Sequence, residues 1–120
     1  MKITREQGQL IVYNRLIPFP GFLCINLFGI LFVRRNGKIK LTNRDILHER
    51  VHTKQQKELL YVFFYIWYLI EWVIRLFQYK FDLYNAYSNI SFEKEAYYIQ
   101  WTKPLNALDY RKRYGFIRYL

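Results

Sequence analysis

Residues 59–77 form an apolar run whose only charged side chains are Glu71 and Arg75. Water solvates such a run poorly, so protein or lipid has to cover much of it. A membrane-spanning helix needs about 20 residues with few or no charges, and a charged pair four residues apart would be costly within lipid. The run therefore favours a helix that is buried or lies at an interface over a helix that spans a membrane.

The length of 120 residues fits one domain over residues 1–120 and is too short for two independent cores. Aromatic rings make up 21% of the residues, which is more than a core of this size requires. Some rings are therefore expected on the surface, where they would face a membrane or a protein partner.

The chain is strongly basic, with 19 Lys and Arg against 9 Asp and Glu and a formal charge of +10. This charge attracts anionic surfaces, and an anionic membrane is compatible with it. Tyrosine and arginine alternate within residues 110–118, which raises nucleic-acid binding as an alternative. No recognised nucleic-acid motif is present, so we expect a solvated basic surface and no nucleic-acid partner.

The single cysteine, Cys24, excludes a disulfide framework within the chain. It lies in an apolar stretch and is predicted to be a small buried side chain. The first eight residues are polar and precede no long apolar run, so no signal peptide is predicted. We expect a cytoplasmic protein or one attached, peripherally or integrally, to the cytoplasmic membrane.

The first third of the chain predicts a small antiparallel sheet. Residues 9–13 are one candidate strand, and residues 17–33 read as kinked strands because proline and glycine interrupt them. Asn36-Gly37 separates two further strand-like runs and is a strong hairpin signal, since both residues tolerate the positive φ of a type I′ turn.

Helix is predicted from Thr42 or Asn43, either of which can cap it, to about residue 79, with a bend on the way. After a looser stretch over residues 80–90, another helix is predicted over residues 92–103. Its expected cap is Ser91 or Asn89, and its expected end is Pro104. The fold class is therefore α+β, with a small N-terminal sheet, a first helix, a long apolar helix and a further helix.

The chain carries His-Glu-Arg-Val-His at positions 48–52, an H-E-x-x-H motif on the first predicted helix. Residues four apart lie one above the other on a helix, so His48 and His52 can converge on one metal ion. Glu49 lies about 100° round the helix, where it can reach a water on the open side of the metal. Both histidines of the chain fall in this motif, which favours a zinc site over two surface histidines.

A zinc site of this kind needs a third protein ligand, and without another histidine that ligand has to be a carboxylate. Glu58 points away from His48 by roughly 80° on the same helix, and Glu71 lies roughly five turns beyond His52. The helix beginning near Phe92 is therefore the best source. It carries Glu93 and Glu95, and either can be the ligand.

H-E-x-x-H followed by Glu93-Lys94-Glu95-Ala96 resembles the gluzincin metallopeptidases. In that group a second helix with E-x-x-A completes the site, as in the membrane-associated CAAX-protease and heat-shock peptidase families and the single-domain minigluzincins. Residues 42–100 carry the resemblance. The Gln55-Gln56 pair is also similar to short gluzincin-like domains that carry H-E-x-x-H-x-x-Q-Q.

The resemblance implies a zincin-like fold that hydrolyses a peptide or protein substrate, with Glu49 as the general base. It implies three zinc ligands: His48, His52 and Glu93. Ala96 would let the two ligand-bearing helices approach closely. Tyr97 stands where the family commonly has an aspartate that supports the site.

The residues that would stabilise the oxyanion and bind substrate stay open. The candidates for oxyanion stabilisation are Tyr97, Tyr98, Tyr110 and Arg111. An edge strand within residues 22–28 or 29–34 would bind substrate as an added strand. The alternative function is an inactive or latent zinc-binding, membrane-associated module, in which the basic, aromatic C-terminus lies across the site.

Overall fold

The computed structural model describes residues 2–15, 24–34, 41–109 and 111–120. The strands are β1 (Lys2–Glu6), β2 (Gln9–Asn14), β3 (Cys24–Leu27) and β4 (Ile30–Arg34). The helices are α1 (Asn43–Glu58), α2 (Val62–Gln78), α3 (Leu83–Ser88) and α4 (Ser91–Thr102), followed by two 3₁₀ helices, Ala107–Asp109 and Gly115–Tyr119. The predicted α+β layout, a sheet followed by helices, is confirmed.

The sheet has the order β1-β2-β4-β3 and is mixed. β1, a strand that was not predicted from the sequence, pairs with β2 in antiparallel fashion, and β3 pairs with β4 in the same way. β2 and β4 run parallel, which corrects the prediction of a purely antiparallel sheet. β3 lies at the edge of the sheet and runs opposite to β2. The hairpin from β3 then places β4 between them, so β4 runs in the same direction as its neighbour β2. Both sides of β4 are occupied, which corrects the prediction that residues 29–34 form an edge strand. The predicted hairpin at Asn36-Gly37 lies outside the described residues.

The two described hairpins turn at Gln7-Gly8 and Phe28-Gly29. All four of these residues have positive φ, between 52° and 80°, and two such residues in succession are characteristic of a type I′ turn. Glycine adopts this conformation without strain, which explains why Gly8 and Gly29 occupy the second position of the two turns.

Of the two predicted caps of helix α1, Thr42 and Asn43, the structure has Thr42 as the cap. The Thr42 side chain accepts a hydrogen bond from Asp45 N–H, and the Asp45 carboxylate accepts one from Thr42 N–H. The predicted bend lies at residues 59–61, where Leu60 and Tyr61 have positive φ and end the helix. No single helix in the described ranges has the length and apolar character to cross a membrane. Within the described part of the chain, only α1 and α2 taken together reach that length and composition, and the two helices are bent by 113° relative to each other.

Two predictions for residues 80–103 need correction. The stretch expected to be loose contains α3, which the Asp82 side chain caps by accepting a hydrogen bond from Asn85 N–H. Helix α4 begins at Ser91, so neither Ser91 nor Asn89 caps it. Instead the Glu71 carboxylate of α2 accepts hydrogen bonds from Ser91 N–H at 2.6 Å and Ser91 Oγ at 2.7 Å, which places a negative charge at the positive end of α4.

Three groups of buried side chains hold the elements together. The first group joins α1 to the sheet: Ile11, Leu31, Val33 and Ile46. The second joins α1, α4 and the segment after α4: Leu47, Val51, Ala96, Ile99, Ala107 and Leu108. The third joins α2, α4 and the C-terminus: Phe64, Ile90, Phe92 and Phe116. Because Ala96 is small and fully buried against α1, the helix bearing the motif and the helix bearing Glu93 lie face to face.

Candidate metal centre

The two motif histidines and Glu93 meet between α1 and α4. His48 Nε2 and His52 Nε2 lie 3.1 Å apart, and each lies 3.1 Å from Glu93 Oε1. The three residues are 5%, 6% and 3% exposed, respectively. They form a buried group that could hold a metal ion, as the sequence predicted.

Two glutamine side chains determine which imidazole nitrogens carry hydrogen. Gln55 donates through Nε2 to Phe92 O and Glu95 Oε1, so its Oε1 is the atom that faces His52 Nδ1 at 2.9 Å. In the same way Gln100 donates to Asp45 Oδ1, and its Oε1 lies 2.9 Å from His48 Nδ1. An amide oxygen only accepts, so both Nδ1 atoms must be the donors.

The Nε2 atoms of neutral imidazoles with protonated Nδ1 present lone pairs. Two such lone pairs and a carboxylate oxygen would then point at one another within 3.1 Å, an arrangement that either a proton or a metal cation between them stabilises. Burial alone lowers the pKa of His52, but the Glu93 carboxylate outweighs it and raises that pKa to about 9. Against its own burial, the two histidines hold the pKa of Glu93 well below its usual range.

Two tyrosines that sequence reasoning missed hold the Glu93 carboxylate. Tyr68 of α2 donates to Oε2 at 2.9 Å, and Tyr87 of α3 donates to Oε1 at 3.0 Å. Burial, followed by the charge of Glu93, raises the pKa of both hydroxyls, so they remain donors. Together they restrict the rotation of a side chain that would otherwise have several rotamers.

Glu49 lies beside the three clustered residues, on the side of the sheet. Its Oε1 accepts a weak hydrogen bond from Cys24 Sγ at 3.8 Å, and its backbone oxygen accepts one from Asn26 at 2.9 Å. Burial raises the pKa of the Glu49 carboxyl, although the two histidines oppose this. Cys24 is only partly buried and contacts Glu49, which corrects its prediction as a buried core residue.

Glu95, the rival ligand, lies outside the cluster. Its carboxylate is held by the Arg111 guanidinium through contacts of 2.7 and 2.9 Å. Arg111 also binds Glu58 at 3.0 Å, so this arginine is engaged in an ion pair and does not face the histidines. The structure therefore does not support Arg111 as a residue that stabilises the oxyanion.

Among the other oxyanion candidates, Tyr97 adjoins the cluster, with its ring centroid 4.4 Å from that of His48. Tyr98 is half exposed and packs against Tyr119, and Tyr110 lies outside the described residues.

The C-terminal tail (residues 111–120) is held in place by Arg111 and by the fully buried Phe116. These two residues anchor the tail to the domain, although most of its other side chains are exposed.

Gln55 offers a direct test of how the histidines are held. We expect Gln55→Ala to weaken metal binding by about 10- to 100-fold, because His52 loses the acceptor that orients its ring. The matched control is Gln56→Ala, since Gln56 is equally buried but binds Gly29 N–H and Asn26 O. Competition with a chromophoric chelator measures both variants; equal losses of affinity would show that Gln55 acts only through stability.

Comparisons of the whole chain with protein-family models, curated proteins and solved structures gave no match. The geometry of the described residues is therefore the evidence from which a function is inferred. That geometry supports a buried site of two imidazoles and one carboxylate that could hold a metal ion.

Proposed function

We propose that this protein is a zinc-dependent peptidase in which Glu49 is the general base. The observation that carries the proposal is the convergence of His48 Nε2, His52 Nε2 and Glu93 Oε1 within 3.1 Å of one another. A second carboxylate, that of Glu49, lies beside them and is not a ligand. The gluzincin resemblance of H-E-x-x-H and E-x-x-A supports the same reading.

The donor set fits zinc. Ligand atoms at the usual zinc distances of about 2.0–2.2 Å, in a tetrahedral arrangement, lie about 3.3–3.6 Å from one another. The three donor atoms here are separated by 3.1 Å, slightly less than the distance between ligand atoms in such a site. Two histidines and one glutamate leave the fourth position open, which is the pattern of catalytic zinc sites and not of closed structural ones.

A bound zinc ion would polarise the scissile carbonyl and lower the pKa of water to about 7. The Glu49 carboxylate accepts the proton of the attacking water and delivers it to the leaving amine. Gln55 and Gln100 keep the lone pairs of the two imidazoles directed inward. Tyr97, beside His48, is the described candidate for donating a hydrogen bond to the developing oxyanion.

The substrate would bind along β3. Among the described residues β3 has no strand neighbour on its outer side, whereas β4 is central. Asn26 of β3 donates to the Glu49 backbone oxygen, which holds the strand next to the base. An extended peptide added to this edge would pass close to Glu49, with main-chain hydrogen bonds supplying affinity.

The test of this function is Glu49→Gln. We expect the variant to retain one zinc per chain and to lose hydrolysis of a denatured, fluorescently labelled protein by about 10²–10⁴-fold in kcat, because the amide cannot accept a proton. Glu6→Gln on β1 is the control for the loss of one negative charge and should keep full activity.

Hydrolysis that survives in Glu49→Gln would contradict the role of Glu49. Wild-type protein that holds one zinc ion per chain and cleaves no peptide would instead support the second candidate, a zinc-binding module without turnover. The observation favouring that candidate is the burial of all three ligand residues.

A further inference from the structure

Helix α2 has the opposite polarity to a helix on the surface of a water-soluble domain. Eight of its large apolar side chains are 43–68% exposed, among them Phe63, Ile66, Ile70, Ile74 and Phe77. They recur at intervals of three and four residues, so they share one side of the helix, here called the outward face of α2. Patches of this kind mark a surface that contacts a partner or a membrane.

The two charged residues of α2 are turned away from that face. Glu71 is buried and binds Ser91 and Arg75, and the Arg75 side chain is largely buried beside it. In water the stable arrangement is the reverse, with charges outside and apolar side chains inside. The distribution on α2 therefore indicates that an apolar medium covers the outward face.

We propose that the outward face of α2 docks on an anionic lipid surface, with the helix lying along that surface. The opposite side of α2 is packed on the domain through Phe64 and Tyr68, so lipid reaches the helix from one side. Apolar side chains of such a helix enter the boundary between headgroups and acyl chains.

The turns at both ends of α2 extend the same surface. Leu60 and Phe81 are 69% and 61% exposed and occupy turns with positive φ. Lys57 lies just before the first turn and Lys80 within the second, and both are exposed. A lysine can lay its apolar stem along a lipid surface and keep its ammonium at the headgroups. Lys57 and Lys80 are therefore placed to bind anionic lipid phosphates.

The charge of the chain selects lipid over a second copy of this protein. Each copy carries +10, and the outward face of α2 offers no acidic side chain to compensate a like-charged partner. Two copies would repel, whereas an anionic bilayer attracts the same charge. This inference does not depend on the proposed peptidase activity, since no metal ligand lies on the outward face.

The experiment is flotation of the purified chain with vesicles of phosphatidylglycerol and phosphatidylcholine in equal parts, compared with pure phosphatidylcholine. We expect the wild type to float with the mixed vesicles and much less with the neutral ones. Ile70→Asp should lower the partition coefficient at least about tenfold, because an apolar anchor is lost and a negative charge is added.

The matched control is Ile3→Asp on β1, since Ile3 is 59% exposed and Ile70 57%. It introduces the same charge away from α2 and should float nearly as well as the wild type; far-UV circular dichroism checks that both variants are folded. Equal flotation of Ile70→Asp and wild type would overturn the proposal. So would a wild-type dimer that ignores both vesicles and that Ile70→Asp dissociates, an outcome that assigns the face to a second copy.

Discussion

Replacing Glu93 by glutamine should abolish stoichiometric metal binding, whereas the same change at Glu95 should leave it intact. Glu93 Oε1 lies 3.1 Å from both imidazole Nε2 atoms and supplies the only carboxylate of the described cluster. A neutral amide at this position cannot offset the charge of a divalent cation in a buried site. The loss of metal affinity should be larger than the roughly 10- to 100-fold loss that is typical when a residue that only supports a ligand is changed.

The Glu95→Gln variant is a close control because Glu95 is on the same helix and equally buried. Its amide oxygen can still accept the hydrogen bond from Gln55 Nε2 that the Glu95 carboxylate accepts at 2.8 Å. Metal content after dialysis, measured by atomic emission, separates the two variants. His48→Ala and His52→Ala should lose the metal as Glu93→Gln does. A Glu95→Gln protein devoid of metal beside a fully loaded Glu93→Gln protein would show that the third ligand is wrongly assigned.

Arg111→Met should lower the free energy of unfolding by about 3–5 kcal/mol, the range for removing one partner of a buried ion pair. The Arg111 side chain is 6% exposed and binds the carboxylates of Glu58 and Glu95. Methionine can fill the space of the arginine stem, but it leaves two carboxylates near one another without a counter-ion. At this chain length the melting temperature should fall by roughly 10 °C or more.

Denaturant unfolding monitored by circular dichroism measures this loss. Arg111→Lys should be intermediate, since one ammonium cannot bind both carboxylates through two contacts each. Adding Glu58→Gln and Glu95→Gln to Arg111→Met should restore much of the stability, because the unpaired charges are then gone. Arg113→Met, at an exposed position, should change stability by less than about 0.5 kcal/mol. An equal effect at positions 111 and 113 would refute the buried ion pair.

The ligand set was predictable because most of its geometry is local. Residues four apart on a helix lie on one face, so His48 and His52 followed from spacing alone. For the third ligand, the sequence left two candidate carboxylates, Glu93 and Glu95, and the resemblance to the gluzincins favoured Glu93. Two residues apart on a helix are about 200° apart in direction, so α4 turns one of them to the histidines and the other to Arg111.

The residues that support the ligands had no comparable signal in the chain. Gln100 lies 52 residues from its partner His48, and Glu93 receives hydrogen bonds from α2 and α3. A glutamine or tyrosine has the same appearance in the sequence wherever its polar atom ends up. These contacts exist only because α1, α2, α3 and α4 pack in one arrangement.

The sequence by itself predicted the helical motif, a cap at Thr42 or Asn43, a bend on the way to the apolar helix and the convergence of the two histidines on one side of the first helix. Each depends on residues within a few positions of one another, where backbone preferences and helical periodicity act directly. The tertiary structure decided the parallel pairing of β2 with β4, which of Glu93 and Glu95 lies beside the two histidines, and the outward face of α2. Periodicity predicts that a helix has an apolar side, but whether protein or lipid covers that side depends on which other elements are left to pack against it.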